Sequence, residues 1–532
     1  MIEIIERATI ETKGFNQNFG NNEDLQKRYE EDGTVLPDKN DAEIGRGKDD
    51  LTKYPVVWID GVQIESTNIK SLKLFNNSFM PTLRLEFTDP SQKLIDENFP
   101  VDNSVISIFK NSNIKDLMGM KMDFKITDFT VVYDTGKKKK GKSYTYAIDA
   151  IMDVDDFYLM NFESYKGTSY DIIKKLMLEM KLGFATNTTN SNDEMVWINN
   201  ANYRIEFIRN IIDKTYINDN TFLFGYIDFY YNFNYIDVEK QIKEDISSQM
   251  NLMENEKVSK DVQNSEVPLI LSNNPDQENT NMFIQKYTLI NSSTNINLQY
   301  GYRHRVTFYN KIDDEIKRYA IDTISDDQDN AIVLKGNYED NNKLYNDMYN
   351  GTWMGKMDTD NVHENFLHSQ SQNKNNLKFL QKLKMTVRLS KINYGLYRFQ
   401  KVLVELYDMG RLDKTEKSAY TETELQEGGV SQHDDKIIHK LSGEWIITAI
   451  NITFSRENGN VQELTLVKRE LTKEYTFPRR ARGNNTKKKK KDEAQQKSSD
   501  DKSNIVYDSN PLGSKNNISL SKDDLLSSIK KI

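Results

Sequence analysis

Apolar and polar residues alternate over two separate stretches of the chain, and a period of two predicts half-buried β-strands. In the first stretch, VVWIDGVQI carries an Asp-Gly pair between two apolar runs, which is a short hairpin signal. PTLRLEFTD alternates regularly, VISIF is another strand candidate, and KITDFTVVYDTGKKKKGKSYTYAIDAI predicts a long hairpin with a lysine-rich tip. Five or six strands in about 100 residues predict a small β-barrel or sandwich at 54–160.

The period then changes to that of α-helices. TSYDIIKKLMLEMKLG (168–183) spaces its apolar residues at helical intervals, begins with possible capping residues and ends at a glycine. YRIEFIRNIIDKTYI (203–217) repeats the helical period. Together with the aromatic segment that follows, these helices predict an α/β middle domain over 161–282. The last part of that domain, 239–280, is polar and predicts an irregular insertion.

A second set of alternating segments predicts another antiparallel β-barrel over 283–478. Its strand candidates are MFIQKYTLI, YGYRHRVTFYN, LKMTVRLS, FQKVLVELYD, EWIITAINITFS and VQELTLVKREL. A polar, Asn-rich insertion at about 325–375 interrupts the set. The overall fold class is therefore predicted to be α+β, with two small antiparallel barrels, an intervening α/β part and polar extensions.

The two predicted barrels share a local sequence pattern. ITDFTV (126–131) and ITAINI (447–452) match in the type of side chain at each position, and each opens a long terminal hairpin. We therefore expect the two hairpins to occupy the same place in their barrels. The residues expected to be equivalent in this way are Ile126, Phe129, Val131, Ile447, Ile450 and Ile452.

NTFLFGYIDFYYNFNYIDV (220–238) raises the question of whether its rings form a stacking platform or a core. A stacking platform for bases usually places Arg or Lys among the rings, whereas the polar neighbours here are Asp and Asn. A turn near 227–228 predicts a hairpin with its rings on one face, covering the helix at 203–217. The residues assigned to this structural core are Phe222, Phe224, Tyr226, Phe229, Tyr231, Phe233 and Tyr235.

Polar extensions flank the predicted domains. Residues 1–53 are poorly periodic, which predicts an extended N-terminal arm that becomes ordered against a partner. Residues 479–532 begin as a low-complexity linker, and apolar residues return only in SLSKDDLLSSIKKI. A capping box and an acidic-to-basic polarity there predict a docking helix, although chance periodicity in a frayed tail is the alternative. Its apolar face would consist of Leu525, Leu526, Ile529 and Ile532.

Composition narrows the function. The length of 532 residues predicts three or four domains, and the formal charge of −9 argues against a nucleic-acid binder. The chain has no cysteine, which excludes disulfides, Cys-ligated zinc and thiol catalysis. Its start lacks the basic region of a signal peptide, and no apolar run reaches the ~18–20 residues that span a bilayer. We therefore expect a soluble chain made in the cytoplasm, without stable membrane insertion.

Candidate chemical motifs are weak. HENFLH (363–368) resembles the zinc motif HExxH with one residue too many, and its histidines would lie about 140° apart on a helix. His304 falls on a predicted strand, where exposure to solvent is the simplest interpretation. The 81 acidic residues offer too many pairs to identify a glycosidase site. Lysine runs at 137–142 and 487–491 suit phosphate contact or a solvated tip and linker. We predict no metal, no cofactor and no enzyme activity.

The order of these segments resembles the central hub protein of T4-type phage baseplates, in the late-control protein D family that includes the head of the type VI secretion spike, VgrG. The similarity is carried by MVWINNANYRIEFIRNIIDKTY followed by the aromatic hairpin, and it covers 54–240 well and 283–475 loosely. It implies two tube-like barrels around an α/β part. In that family, three subunits place six barrels around one axis and join a hexameric tail tube to a trimeric central spike.

The resemblance also implies partners and a location. The expected partners are a second and third copy of the chain, the spike protein, a tail-tube or tube-initiator protein and baseplate wedge proteins. DNA would meet the protein only in transit through a channel. The expected location is the tail baseplate of the virion, after assembly in the host cytoplasm. A cell-wall hydrolase or a carbohydrate-binding component of the same particle is the alternative.

Overall fold

The structure is a computed structural model of the 532-residue chain. The residues that it describes are 2–10, 54–90, 92–96, 99–110, 120–133, 144–244, 270–273, 282–300, 303–310, 314–322, 331–332, 352–357, 362–363, 365–390, 392–408, 437–455 and 459–473.

Strands dominate this part of the chain. They are β1 (Glu3–Glu6), β2 (Val56–Ile59), β3 (Val62–Ile64), β4 (Ile69–Asn76), β5 (Thr82–Asp89), β6 (Val105–Lys110), β7 (Met120–Tyr133), β8 (Tyr144–Met152), β9 (Met160–Gly167), β10 (Gly183–Thr186), β11 (Met195–Tyr203), β12 (Leu223–Ile227), β13 (Asn232–Asp237), β14 (Ile270–Ser272), β15 (Met282–Asn291), β16 (Arg303–Asn310), β17 (Glu315–Asp322), β18 (Ala331–Ile332), β19 (Thr352–Met357), β20 (Leu383–Leu389), β21 (Lys401–Glu405), β22 (Gly443–Ser455), β23 (Gly459–Lys468) and β24 (Leu471–Thr472).

Helices are fewer. The described α-helices are α1 (Lys93–Asp96), α2 (Ser169–Glu179), α3 (Arg204–Lys214), α4 (Val238–Lys243), α5 (Ser293–Tyr300) and α6 (Phe366–Leu380). Short 3-10 turns occur at Ser66–Asn68 and Asp155–Tyr158. The two helices predicted from periodicity are α2 and α3. Thr168 caps α2 by accepting a hydrogen bond from the Asp171 N–H, as residues before a helix commonly do.

One thirteen-stranded sheet connects both predicted barrel regions. Its strand order is β21-β14-β15-β20-β23-β22-β4-β5-β8-β7-β6-β2-β3. β21 also pairs with β22, which closes the first six of these strands into a barrel. The strands from β4 to β3 continue the sheet through the antiparallel contact of β22 with β4. The predicted architecture of antiparallel barrels with a smaller helical part is confirmed, and the two barrel sheets are joined edge to edge.

The short hairpin signal in the first barrel is also correct. β2 and β3 pair antiparallel around Asp60 and Gly61, whose φ angles are 46° and 85°. Positive φ at both central residues is the geometry of the turn that best matches strand twist, and Asp-Gly is a preferred pair for it.

The two long hairpins occupy equivalent places. β7 and β8 lie between β6 and β5, and β22 and β23 lie between β21 and β20. A bulge interrupts the register at Thr127 in β7 and at Thr448 in β22. Each bulged threonine donates its hydroxyl to the backbone carbonyl across the hairpin, Thr127 to Asp149 at 3.0 Å and Thr448 to Thr465 at 3.2 Å. This agrees, residue for residue, with the match of 126–131 to 447–452.

The equivalent hairpin residues differ in burial. Ile447, Ile450 and Ile452 are buried, whereas the matching side chains in β7 are half-buried. For Ile450 and Ile452 the reason is the neighbouring strand, because β22 pairs with β4 beyond its bulge. The side chains of β7 that receive less cover are Ile126, Phe129 and Val131.

The middle part contains a four-stranded sheet in the order β1-β10-β13-β12, and a separate two-stranded sheet of β9 and β11. β1 pairs antiparallel with β10, so residues 3–6 are part of the folded body. This corrects the prediction of an arm that begins at residue 1, because alternation over only four residues gives no clear periodic signal. β14 corrects the predicted polar insertion at 239–280, where a three-residue strand pairs with both β15 and β21.

Candidate functional site

The aromatic hairpin, residues 222–237, lies where the two barrel sheets and the middle part meet. β12 and β13 pair antiparallel, with Gly225 opposite Tyr235. Asp228 shapes the turn by accepting the N–H groups of Tyr230 at 2.8 Å and Asn232 at 2.9 Å. Tyr231 closes the three-residue loop with φ 62°, the left-handed conformation expected at that position.

The rings lie on both faces of the hairpin, so the prediction of one aromatic face is wrong. A loop of three residues between Asp228 and Asn232 places even-numbered residues opposite even-numbered residues, as Phe224 opposite Ile236 shows. A two-residue loop would have reversed this relation. The hairpin is therefore a layer with an apolar surface on each side. The sequence did not indicate this, because it did not fix the length of the loop.

Each face has its own neighbours. On one face, the ring of Phe233 lies 5.9 Å from that of Phe79, and Tyr235 stacks near Phe184 at 6.2 Å. On the other face, the ring of Phe224 lies 4.8 Å from that of Phe399. Phe224 and Tyr230 are half-buried, and the other rings of the hairpin are buried, namely Phe222, Tyr226, Phe229, Tyr231, Phe233 and Tyr235.

Tyr231 connects the hairpin to the first barrel. Its hydroxyl accepts the N–H of Asp123 in β7 at 2.9 Å and donates to the Asp123 carbonyl at 3.2 Å. Burial raises the pKa of Tyr231, so the phenol stays neutral and keeps its proton for this bond. One side chain thus fixes the turn of the hairpin against a barrel strand.

Arg398 connects all three parts. Its Nε donates to the carbonyl of the bulged Thr448 in the second barrel at 2.6 Å, and its Nη1 donates to the carbonyl of Ser78 in the first. Its guanidinium lies 4.6 Å from the Tyr226 ring centroid, and the Tyr226 hydroxyl donates to the Arg398 carbonyl at 3.0 Å. Burial lowers the pKa of Arg398 to about 10, so the group remains a cation at neutral pH. Aromatic faces and carbonyls are the groups that stabilise such a cation.

A buried polar network holds the hairpin against α2. The carboxylate of Asp193 accepts the Ser169 N–H at 2.9 Å and hydroxyls of Ser169 at 2.6 Å and Ser191 at 2.7 Å. The Ser169 hydroxyl also lies 3.1 Å from that of Tyr235. Asp193 and Ser169 are fully buried. This network satisfies the start of the helix and one ring of the hairpin, and its sequence signal was a scattered set of Ser and Asp residues.

His363 is buried beside α6. Its Nε2 lies 3.0 Å from the Lys214 carbonyl, and its ring lies 6.2 Å from that of Trp197. Burial lowers the pKa of His363. Among the described residues, no three His, Cys, Asp or Glu side chains come together as metal ligands. His304 lies on β16, as the strand pattern predicts.

α6 begins within the polar insertion predicted at about 325–375 and continues beyond it. The buried side chains in the first part of α6 are polar: Asn373 donates to the Ile212 and Thr215 carbonyls at the end of α3, at 3.2 and 2.9 Å. Ser369 donates to the Lys214 carbonyl at 2.8 Å. Because side-chain amides and hydroxyls in this part of α6 cap the end of α3, polar residues stand where an amphipathic helix usually buries apolar ones.

Other predicted residues fall outside the described part of the chain. These are the lysine runs at 137–142 and 487–491, and the docking-helix residues Leu525, Leu526, Ile529 and Ile532. In the part that is described, no α-helix has the length and apolar content needed to cross a membrane.

Comparisons with known proteins identify structural neighbours only. No protein-family model matches the chain, and no curated protein matches it. It is similar to a tail protein from Neisseria meningitidis, with 12% identity, a TM-score of 0.42, and coverage of 78% of this chain and 96% of that one. The 43 kDa tail protein of prophage MuSo2 from Shewanella oneidensis is 9% identical, with a TM-score of 0.43 and coverage of 78% and 98%.

A third neighbour is a component of the Escherichia coli type VI secretion system, described as structurally similar to the T4 tail proteins gp27 and gp5. It is 8% identical, with a TM-score of 0.36, and the match covers 77% of this chain and 76% of that one. These three neighbours are two phage or bacterial tail proteins and a type VI secretion component.

Proposed function

We propose that the chain is a structural baseplate hub of a contractile phage tail or a related injection machine. In this role it forms a homotrimer and acts as a symmetry adaptor between a hexameric tail tube and a trimeric central spike. Its work is assembly and not catalysis.

The internal repeat of the barrels supports this proposal most directly. β7–β8 and β22–β23 lie between equivalent strands of their barrels, and each carries a bulge at a threonine that makes the same hydrogen bond. Three copies of such a chain present six similar barrel surfaces around one axis while keeping threefold symmetry. A sixfold ring can therefore match one side of the trimer and a threefold spike the other.

The contacts that join the two barrels and the aromatic hairpin, called the junction below, suit a protein that transmits mechanical load. Arg398 contacts the first barrel through Ser78, the second through Thr448 and the hairpin through Tyr226. Tyr231 adds a separate contact with the first barrel. Contacts of this kind hold the two barrels at a fixed angle, which an adaptor between two rigid assemblies requires.

The proposed partners follow from this role. A tail-tube or tube-initiator protein would contact the barrel side, the central spike would contact the other, and baseplate wedge proteins would surround the trimer. DNA would pass through the channel without stable binding, in keeping with a formal charge of −9. The proposed location is the tail baseplate of the virion, after assembly in the host cytoplasm.

Mass in solution tests the proposed function. Light scattering after gel filtration is expected to give three times the chain mass of 62.1 kDa. A single-chain mass at every concentration tested would overturn the homotrimer. A cell-wall zymogram provides the complementary test, because a cleared zone at the position of this chain would favour the hydrolase alternative.

A further inference from the structure

The outer half of β7 is a sheet edge in the described part of the chain. β6 pairs with β7 only as far as Lys125, and residues 127–133 then pair with β8 alone. Val132 and Tyr133 are 55% and 36% exposed in this half. A long edge with exposed apolar side chains is a ready template for a strand of another chain.

β15 presents a second edge. β14 pairs with it only at Met282 and Phe283, so residues 284–291 have β20 as their one strand partner among the residues described. Ile290 on this edge is 49% exposed. The two edges belong to different barrels, β7 to the first and β15 to the second.

These edges are equivalent to two strands that already pair within the chain, β22 and β4. β7 corresponds to β22 through its bulge and its neighbours. β15 corresponds to β4, because each pairs with the strand on the outer side of its long hairpin, β20 or β5. Each also carries a register shift at the same point, between Ile69 and Ser71 in β4 and between Ile284 and Lys286 in β15.

Alignment on these bulges equates side chains of similar type. Leu72, Leu74 and Asn76 of β4 match Tyr287, Leu289 and Asn291 of β15. In the same way, Ile450, Ile452 and Phe454 of β22 match Phe129, Val131 and Tyr133 of β7. The same correspondence results when it is traced through the pairings of β5 with β8 and of β20 with β23.

Burial separates the paired strands from their equivalents. The six residues of β4 and β22 named above are buried where those strands meet. Their equivalents in β15 and β7 are half-buried or exposed. The chain thus carries two sets of equivalent side chains. Those of β4 and β22 face each other in a strand pair, whereas β15 and the outer half of β7 each have a strand on one side only within the described residues.

We propose that β7 of one copy pairs antiparallel with β15 of the next copy, in the register of the β22–β4 contact. This inference rests on the proposed ring of identical chains. Within the chain, Ile452 lies opposite Leu74, so Val131 of one copy lies opposite Leu289 of its neighbour. By the same register, Tyr133 lies opposite Tyr287.

This contact is heterologous, because two different strands meet and each copy has both. Repetition of such a contact by a closing rotation gives a ring and not a dimer. Contacts within chains and between chains would then alternate around the trimer. The sheet that already joins two barrels would continue from one copy to the next.

Paired cysteines test this register, because the chain contains no cysteine of its own. Cβ atoms of directly opposite residues lie ~4.5–5.5 Å apart, close to disulfide geometry. The double variant V131C/L289C is expected to give mainly a covalent ring of three chains on a non-reducing denaturing gel after mild oxidation. The matched control V131C/Y287C places its pair two residues out of register, ~7–8 Å apart, and should link about tenfold less.

Each outcome decides the proposal. Equal linkage of test and control pairs, or no linkage in V131C/L289C while the wild-type mass is trimeric, overturns the strand pairing and leaves the homotrimer intact. A covalent dimer from V131C alone would show a like-with-like contact and would also overturn it. A link within one chain places β7 against its own β15, again contrary to the proposal. A monomeric wild type without links between chains overturns the homotrimer and the pairing together.

Discussion

Truncation of Phe233 tests whether the aromatic hairpin is a core layer. The side chain is fully buried, and its ring lies 5.9 Å from that of Phe79. Phe→Ala in a packed core costs about 3–5 kcal/mol, because apolar contact is lost and a cavity remains. Whole domains are stable by only about 5–15 kcal/mol. We therefore expect F233A to lose about 3–5 kcal/mol in its free energy of unfolding.

Phe224 supplies the matched control. It is the same residue type on the same hairpin, but it is half-buried and packs on Phe399 at 4.8 Å. With only part of its surface removed from water, F224A should lose about 1–2 kcal/mol.

Urea unfolding, followed by far-UV circular dichroism at one fixed protein concentration, provides the measurement, since association adds to apparent stability. A loss below about 1 kcal/mol for F233A, or an equal loss for both variants, would refute the core assignment. A stable F224A protein that loses binding to a glycan would instead support a stacking platform.

Three further changes test the junction. Y231F leaves the Asp123 N–H without its acceptor, and we expect urea unfolding to show a loss of about 1–3 kcal/mol. G225V should reduce the yield of folded protein, because a Cβ at this position would lie 2.6 Å from Ile212 Cδ1. Burial raises the pKa of Asp237 from 3.8 to about 6, so its stabilising contribution is full below pH 3.8 and is lost as pH rises through 6. D237N keeps an oxygen to cap α4 and should flatten this part of the pH profile of stability.

Much of the barrel architecture could be predicted from the sequence because each strand has one buried face and one wet face. The match of ITDFTV with ITAINI also located equivalent hairpins, since the bulged threonine falls at the same place in both. The helices α2 and α3 were visible because their buried faces are apolar.

Other features were not predictable from periodicity. α6 buries Ser369, Gln372 and Asn373, which bond to carbonyls, so its pattern resembles that of a loop. β14 is three residues long and is held by two neighbouring strands. Which rings share a face of the aromatic hairpin depends on whether its loop has two or three residues. The role of Arg398 depends on three segments that are distant in sequence and that meet around its side chain only in the folded chain.

Electron cryo-microscopy of the purified chain would show the proposed ring itself. We expect particles with three chains around one axis, six barrels at nearly equal angular spacing, and strand density that continues from β7 of one copy into β15 of the next. Monomeric particles, or a ring in which the two barrels of each chain lie at clearly different distances from the axis, would contradict it.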